Sequence, residues 1–262
     1  MRSVVSSIGR RLPRGWGDLL WQFALFLIVY QGYQVVRGLA DGQVAIAFQN
    51  GERIIELERT LGTFFEANLQ QAVLDHAWLI DTANFMYINA QFVITTAFLA
   101  WLYLARNDNF YFVRNMFVVA MGIALIGYAT FPTAPPRFFP EAGFTDTIAI
   151  ATNVDQDTGA VGLLVNQYAA VPSMHIAFAL MISVPGMVLA KYAASRTFWS
   201  VYPALVFFVI VVTANHYWFD AAAGAAVASI AALIAARVLS PLRPYHWAWP
   251  GSEREPAGEV TA

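Results

Sequence analysis

The chain has 262 residues, of which 58% are hydrophobic and only 12% are charged. Soluble domains average about 25% charged residues, so the composition excludes an ordinary soluble domain and indicates a membrane protein. The lack of cysteine excludes disulfides and thiolate metal sites. The formal net charge of −2 argues against a nucleic-acid partner.

Six apolar runs are each long enough to cross the bilayer core, which takes about 20 residues. In chain order they are 17–36, 79–104, 112–131, 171–190, 197–214 and 218–239. They predict an all-α, polytopic membrane protein with a single domain over 17–239, built as a bundle of six transmembrane helices. The first run lacks a following small-residue cleavage site, so it is expected to stay as an anchor.

The basic residues predict the orientation of the bundle, because cytoplasmic segments carry an excess of Lys and Arg. With the N-terminus inside, the inner segments hold eleven of them: Arg2, Arg10, Arg11, Arg14, Arg106, Arg114, Lys191, Arg196, Arg237, Arg243 and Arg254. The outer segments hold four: Arg37, Arg53, Arg59 and Arg137. Residues 1–16 and 240–262 are therefore expected in the cytoplasm, the latter as a disordered tail. The preference for Arg over Lys and the abundant Ala favour a bacterial source.

Two outer segments are long enough to have structure of their own. Residues 41–76 carry apolar side chains at helical spacing, which predicts one or two helices along the outer membrane surface or packed as an ordinary cover over the bundle. Residues 132–170 begin with prolines and become polar, and a loop of this length usually carries function or is disordered.

The predicted topology brings five polar residues from three separate segments to the outer side. They are Arg137, Ser173, His175, His216 and Asp220. The fourth and sixth spans both begin there, so their first-turn N–H groups and helix dipoles are expected to favour an anion, above all a phosphate. The sequence therefore predicts a phosphate site at the outer ends of these spans.

The spacing of these residues suits phosphoryl transfer. His216 and Asp220 lie one helical turn apart, so the carboxylate can fix the imidazole tautomer and leave the other nitrogen as a nucleophile or base. His175 can protonate a leaving oxygen, Arg137 can grip phosphate oxygens, and Ser173 can donate a hydrogen bond. Each alone also has a purely structural interpretation, such as a helix cap or a dipole partner.

The stretches "PPR", "PSMH" and "HYWFD" resemble the three motifs of the type 2 phosphatidic acid phosphatase superfamily. "ELERTLGTFFE", "GFTDT", "NQYAAVPSMH" and "TANHYWFDAAAG" are similar to its inositolphosphotransferase-like branch, related to fungal inositol phosphorylceramide synthase. The likeness covers roughly residues 50–235. It implies a six-helix membrane fold, no metal and no cofactor.

The resemblance also implies a role for each site residue. His216 would become a phosphohistidine, His175 would act as general acid and then base, and Asp220 would orient His216. Arg137 and Ser173 would hold phosphate oxygens.

The chain departs from the broader family at three motif positions. A motif lysine and a motif arginine are replaced by Thr130 and Ile210, and Met174 stands where glycine is commoner. Arg137 is thus the only motif cation, and Arg53 or Arg59 folding over the site is a hypothesis for the missing charge.

The predicted function is transfer of a phospho-headgroup, of the inositol-phosphate type, between a lipid and an alcohol at the cell membrane, with the site on the periplasmic or extracellular side. The alternative is a lipid phosphate phosphatase with water as the acceptor. The substrate would be a phospholipid or a polyprenyl or sphingolipid phosphate. The acceptor would be a polyol, a lipid alcohol or water. Four loop residues could hold a headgroup or simply fold the loop: Asp146, Asn166, Gln167 and Tyr168.

Three other functions remain open from the residues alone. Ser173 with the histidines could form a serine hydrolase, although no nucleophile elbow is visible. Two histidines and a carboxylate could form a metal triad. A six-helix transporter would instead place its polar residues near the midplane.

Overall fold

A computed structural model describes residues 12–40, 43–152 and 168–242. The described residues are mostly helical, and the only β pairing among them is an isolated bridge between Thr133 and Ala169. The protein is an all-α polytopic membrane protein. Asn166, Gln167 and the tail from residue 243 lie outside the described residues.

The long helices follow the predicted apolar runs closely. They are α1 (Gly15–Ala40), α4 (Ala77–Ala105, with a π-helical turn at Met86–Ala90), α5 (Asn107–Thr130), α7 (Met174–Leu189), α8 (Ala193–Val212) and α9 (Trp218–Leu242, with a π-helical turn at Ala235–Leu239). The shorter helices are α2 (Val44–Thr60), α3 (Glu66–Leu74) and α6 (Thr147–Thr152).

Four of these helices are long and apolar enough to cross a membrane by length and composition: α4, α5, α8 and α9. Helix α7 is apolar but has 16 residues, about 24 Å of rise, and α1 is not among the four. The count of six spans therefore stays a prediction. The long helices present large apolar side chains outward, including Trp78, Phe85 and Phe92, as expected for a lipid-facing surface.

Helix α7 is central to the packing, with α4, α5, α8 and α9 against it. Its core cluster with α4, α5 and α8 includes Phe98, Leu102, Ile182 and Ile210. At the other end of the bundle from the α7 start, Arg14 Nε donates to Asn107 Oδ1 at 3.2 Å. The N-terminal segment and the α4–α5 turn thus meet at one end of the bundle. The distribution of basic residues predicts that both lie in the cytoplasm.

Residues 41–76 contain the two helices α2 and α3, and their position relative to a bilayer stays a prediction. The buried face of α2 follows helical spacing through Ala47, Gly51, Ile54 and Ile55, and it ends on a buried carboxyl, Glu58. Gly51 is required by packing, because a Cβ there would lie 2.6 Å from the Phe139 ring. Helix α2 therefore sits directly against the segment that carries Arg137.

Candidate active site

The candidate site lies where α5 and α8 end and α7 and α9 begin. Two backbone hydrogen bonds tie these segments together: Arg137 N donates to the Ala214 carbonyl at 2.8 Å, and Ser173 N donates to the Asp220 carbonyl at 3.0 Å. The segments that carry Arg137, Ser173 and Asp220 therefore lie together at this end of the bundle.

Glycine in α9 permits the close approach of the two helices that carry histidine. A Cβ built on Gly224 would lie 2.2 Å from the Ser173 carbonyl oxygen, a distance that backbone atoms cannot accommodate. Any larger residue would push α9 away from the start of α7. Gly224 therefore keeps the His216 segment beside the His175 segment.

The two histidines meet directly. His216 Nε2 lies 3.3 Å from His175 Nδ1, and the ring centroids are 5.3 Å apart. His216 is only 5% exposed, whereas His175 is partly exposed. Residues 41 positions apart in the chain thus form one pair of imidazoles that can exchange a proton.

The other nitrogen of His216 is held by two acceptors. Nδ1 lies 3.0 Å from the Ala170 carbonyl and 3.2 Å from Asp220 Oδ2. Because both partners accept, Nδ1 carries the hydrogen and the Nε2 lone pair is left facing His175. Burial lowers the pKa of His216 from 6.5 to about 3; the Ala170 hydrogen bond opposes this shift and the Arg137 charge adds to it. The ring is therefore neutral at pH 7, as a nucleophile must be.

Asp220→Asn is expected to reduce turnover by about tenfold to a hundredfold. Loss of a carboxylate that alone fixes a histidine tautomer costs about ten-thousandfold, but here the Ala170 carbonyl still accepts from Nδ1. Steady-state turnover of the variant checks this, with the exposed Asp81→Asn as control. A loss of ten-thousandfold or more would show that Ala170 does not hold the tautomer.

Arg137 is buried beside the histidine pair. Its Nη1 donates to Asn215 Oδ1, its Nε lies 3.6 Å from Asp146 Oδ2, and its guanidinium stands 4.7 Å over the Phe138 ring. Asp146, considered above for headgroup binding, thus faces the arginine, and its Oδ1 accepts from the amides of Ile148 and Ala149.

The Ser173 hydroxyl is buried and has no hydrogen-bond partner among the described residues. A buried hydroxyl left unpaired costs about 1–3 kcal/mol. A ligand oxygen near the start of α7 would remove that cost. The first-turn amides of α7 lack intrahelical acceptors and belong to the same region.

Of the four loop residues considered for headgroup binding, the structure describes Asp146 and Tyr168. The ring of Tyr168 lies against Phe48 and Phe138, with centroid distances of 6.4 and 6.3 Å. Its carbonyl accepts from Thr133 N at 2.8 Å. Both contacts hold the outer loop on α2 and on the Arg137 turn.

Three residues near the histidines were missed by the sequence reasoning. Tyr87, in the π-helical turn of α4, stacks on His175 with centroids 4.5 Å apart. Gln91 Nε2 donates to the carbonyls of Met174 and His175 at 3.3 Å. Asn215 adjoins His216 in the chain and could have been noticed, whereas Tyr87 and Gln91 lie in an apolar run without any motif.

The positions of the missing motif cations are not filled by charge. The Thr130 hydroxyl donates a hydrogen bond to the Ile126 carbonyl of its own helix, and Ile210 is a core residue. Arg53 donates to Asn50 at 3.3 Å, and Arg59 stands over Phe64 at 4.9 Å. Both arginines are exposed, so neither is folded over the histidines in this structure.

One expectation about helix starts is wrong for the last span. The amides of Tyr217, Trp218 and Phe219 donate to Asp220, Glu66 and Glu58 at 3.0, 2.8 and 3.2 Å. Carboxylates from the chain itself therefore occupy the donors that were expected to face a phosphate. The start of α7 is the helix terminus left for that role.

The geometry also bears on two of the alternative functions. Ser173 Oγ bonds neither histidine in the described part of the chain, so the relay of a serine hydrolase is not formed. His175 and Asp220 contact opposite edges of the His216 ring, so the three groups do not converge on one point as ligands of a metal triad would.

Comparison with known proteins agrees with the motifs. The sequence-family model of the PAP2 superfamily matches residues 52–234, a range that holds all five motif residues. Neither the curated proteins nor the solved structures contain a match. Membership supports lipid phosphatase or phosphotransferase activity in general, on lipid phosphate substrates in the bilayer. The chain belongs to the PAP2 superfamily.

Proposed function

We propose that this protein transfers a phospho-headgroup, of the inositol-phosphate type, between a lipid and an alcohol through a phosphohistidine at His216. The observation that carries the proposal is the 3.3 Å contact between His216 Nε2 and His175 Nδ1, with His216 Nδ1 held from behind by Ala170 and Asp220. One ring is thus set as a nucleophile and the other as a proton carrier.

The reaction has two balanced steps. In the first, His216 Nε2 bonds to phosphorus, the bond to the departing lipid oxygen breaks, and that oxygen takes a proton from His175. In the second, the acceptor hydroxyl gives its proton to His175, its oxygen bonds to phosphorus, and the P–Nε2 bond breaks. His175 ends with the proton it began with, and His216 is restored.

Substrate binding has to separate the two rings. A phosphorus atom attacked by Nε2, with its leaving oxygen bonded to His175, requires the two nitrogens to be more than about 5 Å apart. At 3.3 Å no phosphoryl group fits between them. We infer that the His175 ring rotates away from His216 when substrate binds. The Tyr87 ring is stacked on it with an angle of only 19° between the two planes, so the His175 ring can slide along the face of Tyr87.

Arg137 and Ser173 are the proposed phosphate ligands. Arg137 brings a positive charge close enough to influence His216, and charge-assisted bonds from guanidinium to phosphate are strong. The Ser173 hydroxyl is a buried donor without a protein partner in the described ranges. The amides at the start of α7 would add donors aligned with the helix dipole.

The proposed location follows from charge asymmetry. Eleven of the fifteen basic residues fall in segments assigned to the cytoplasm, so the catalytic end of the bundle would face the periplasmic or extracellular side of the cell membrane. The acceptor preference rests on the likeness of "NQYAAVPSMH" and "TANHYWFDAAAG" to inositolphosphotransferases. Asp146, Asn166, Gln167 and Tyr168 are the candidate headgroup contacts.

The test is a panel of labelled phospholipids incubated with purified protein, with and without inositol and lipid alcohols, using His216→Gln as the blank. The expected result is a product that forms only when an alcohol acceptor is present. Release of phosphate without an acceptor would instead make the protein a lipid phosphate phosphatase. Solute flux in proteoliposomes without any turnover would overturn the proposal in favour of a transporter.

A further inference from the structure

We propose that Glu58 and Glu66 are positioning residues, which share one proton and thereby hold the first turn of α9 so that His216 faces His175. This inference rests on the proposed function. Neither glutamate touches the reacting atoms, so both act through the backbone of α9.

The contacts are specific to the two glutamates. Glu66 Oε1 accepts from Trp218 N at 2.8 Å, and Glu58 Oε1 accepts from Phe219 N at 3.2 Å. Both side chains are fully buried, at 0% exposure. Charged residues are almost never fully buried unless they are paired. The burial of two carboxyl groups that bind consecutive backbone amides therefore indicates a specific role for them.

The bonded amides lie next to the catalytic residues in the chain. His216 precedes this turn by two residues, and Asp220 follows it directly. Asp220 itself accepts from Tyr217 N at 3.0 Å, so three successive amides are each held by a carboxyl from a different helix. A shift of this turn would move His216 and its orienting carboxylate together.

The charge around this turn favours a shared proton. Glu58 is faced by Glu66 from α3 and by Asp220 from α9, and Tyr217 lies beside them. Burial, then the negative charge of Glu66, with a smaller contribution from Asp220, raises the pKa of Glu58 from 4.5 to about 9. A side-chain hydrogen bond with Glu66 also contributes to the raised pKa of Glu58. Glu58 Oε2 has no other partner in the described ranges, so it is the oxygen that carries the proton shared with Glu66.

Ionisation of Glu58 should therefore loosen the turn. Above about pH 9 two buried carboxylates would repel each other beside Asp220. Since small displacements of catalytic groups cost up to about a hundredfold in rate, turnover should fall as this proton leaves. A simple structural cap would lack this pH dependence.

The test compares wild type with Glu58→Gln, Glu58→Ala and the exposed Glu56→Gln as the matched control on the same helix. The glutamine oxygen can accept from Phe219 N, and its NH₂ can replace the shared proton. We expect Glu58→Gln to stay within about twofold of wild type at pH 7 and to resist the loss of kcat above pH 9. Glu58→Ala should lose about tenfold to a hundredfold in kcat at every pH, with little change in KM.

A second measurement is independent of activity. Because the folded pKa of Glu58 lies above 4.5, the folded state keeps a proton that the unfolded state loses between about pH 4.5 and 9. The stability of wild type should therefore fall relative to Glu58→Gln as pH rises through this window. Thermal unfolding of the two proteins across the same pH series measures the difference.

The outcomes separate this inference from the proposed function. Parallel pH profiles of wild type and Glu58→Gln in both kcat and unfolding temperature would overturn the inference, even if lipid turnover is normal. So would an equal loss in Glu58→Gln and Glu58→Ala at neutral pH. Absence of turnover in wild type would overturn the proposed function, while the unfolding series would still test the shared proton. If Glu58→Ala does not fold, the glutamine comparison decides.

Discussion

His216→Gln is expected to abolish turnover of every phospholipid substrate, with a loss of at least about ten-thousandfold. The variant keeps a side chain of similar length but has no nitrogen lone pair to attack phosphorus. In wild type, Ala170 and Asp220 hold Nδ1 of the buried His216, so the lost Nε2 is the atom placed to attack. Single-turnover and steady-state assays on the same labelled lipid measure the loss.

His76→Gln is the matched control, because His76 is exposed on the chain between α3 and α4. It should retain wild-type turnover. Circular dichroism and thermal unfolding in detergent should be the same for both variants and wild type. Turnover by His216→Gln within a hundredfold of wild type would remove His216 as the nucleophile.

His175→Gln is expected to lose about a hundredfold to ten-thousandfold in turnover of lipid substrates, the usual contribution of a general acid or base. Its first step should recover with an aryl phosphate, because a good leaving group needs no proton. Its second step should stay slow, because the acceptor hydroxyl still needs a base. The variant should therefore release a burst of phenol equal to the enzyme present and then nearly stop.

The burst distinguishes His175 from a structural residue. Tyr87→Leu is a useful comparison, because it removes the ring stacked on His175 without removing the proton carrier, and it should slow both steps only moderately. Equal impairment of His175→Gln with lipid and aryl substrates would contradict the assignment of His175 as general acid.

The fold was predictable to the extent that hydropathy determines it. Apolar runs of bilayer length placed the long helices to within a few residues, for example 197–214 against Ala193–Val212. The run 171–190 was less well defined, because Ser173 is extended and the helix begins only at Met174. Hydropathy does not report where an apolar segment changes from extended to helical backbone.

The candidate site was predictable as a set of residues but not as a set of contacts. Motif spacing and topology brought His175 and His216 to one end of the bundle, and the structure has them 3.3 Å apart. The capping of α9 by Glu58 and Glu66 could not be predicted, because each bond joins residues more than 150 positions apart. Local rules describe a helix start as a set of free donors, and tertiary packing decides what occupies them.

Arg137 illustrates the same limit. Its place in "PPR" marked it as the motif cation. Its partner Asn215 nevertheless lies 78 positions away, before α9, and its partner Asp146 lies further along the same outer segment. The sequence also left the missing motif cations unexplained. In the structure Arg53 and Arg59 remain outside the histidine pair, which leaves Arg137 with the start of α7 as the proposed means of balancing phosphate charge.

The most direct measurement is to trap the intermediate with a ³²P-labelled lipid donor, quench in base, where phosphohistidine survives, and map the label by peptide sequencing. Our account predicts one acid-labile phosphoryl group on the peptide that contains His216. In His175→Gln the group should accumulate when a ³²P-labelled aryl phosphate is the donor, because only the second step is then slow. In wild type it should disappear on addition of an alcohol acceptor. Label on Ser173, on His175 or on no residue of a protein that turns over lipid would contradict it.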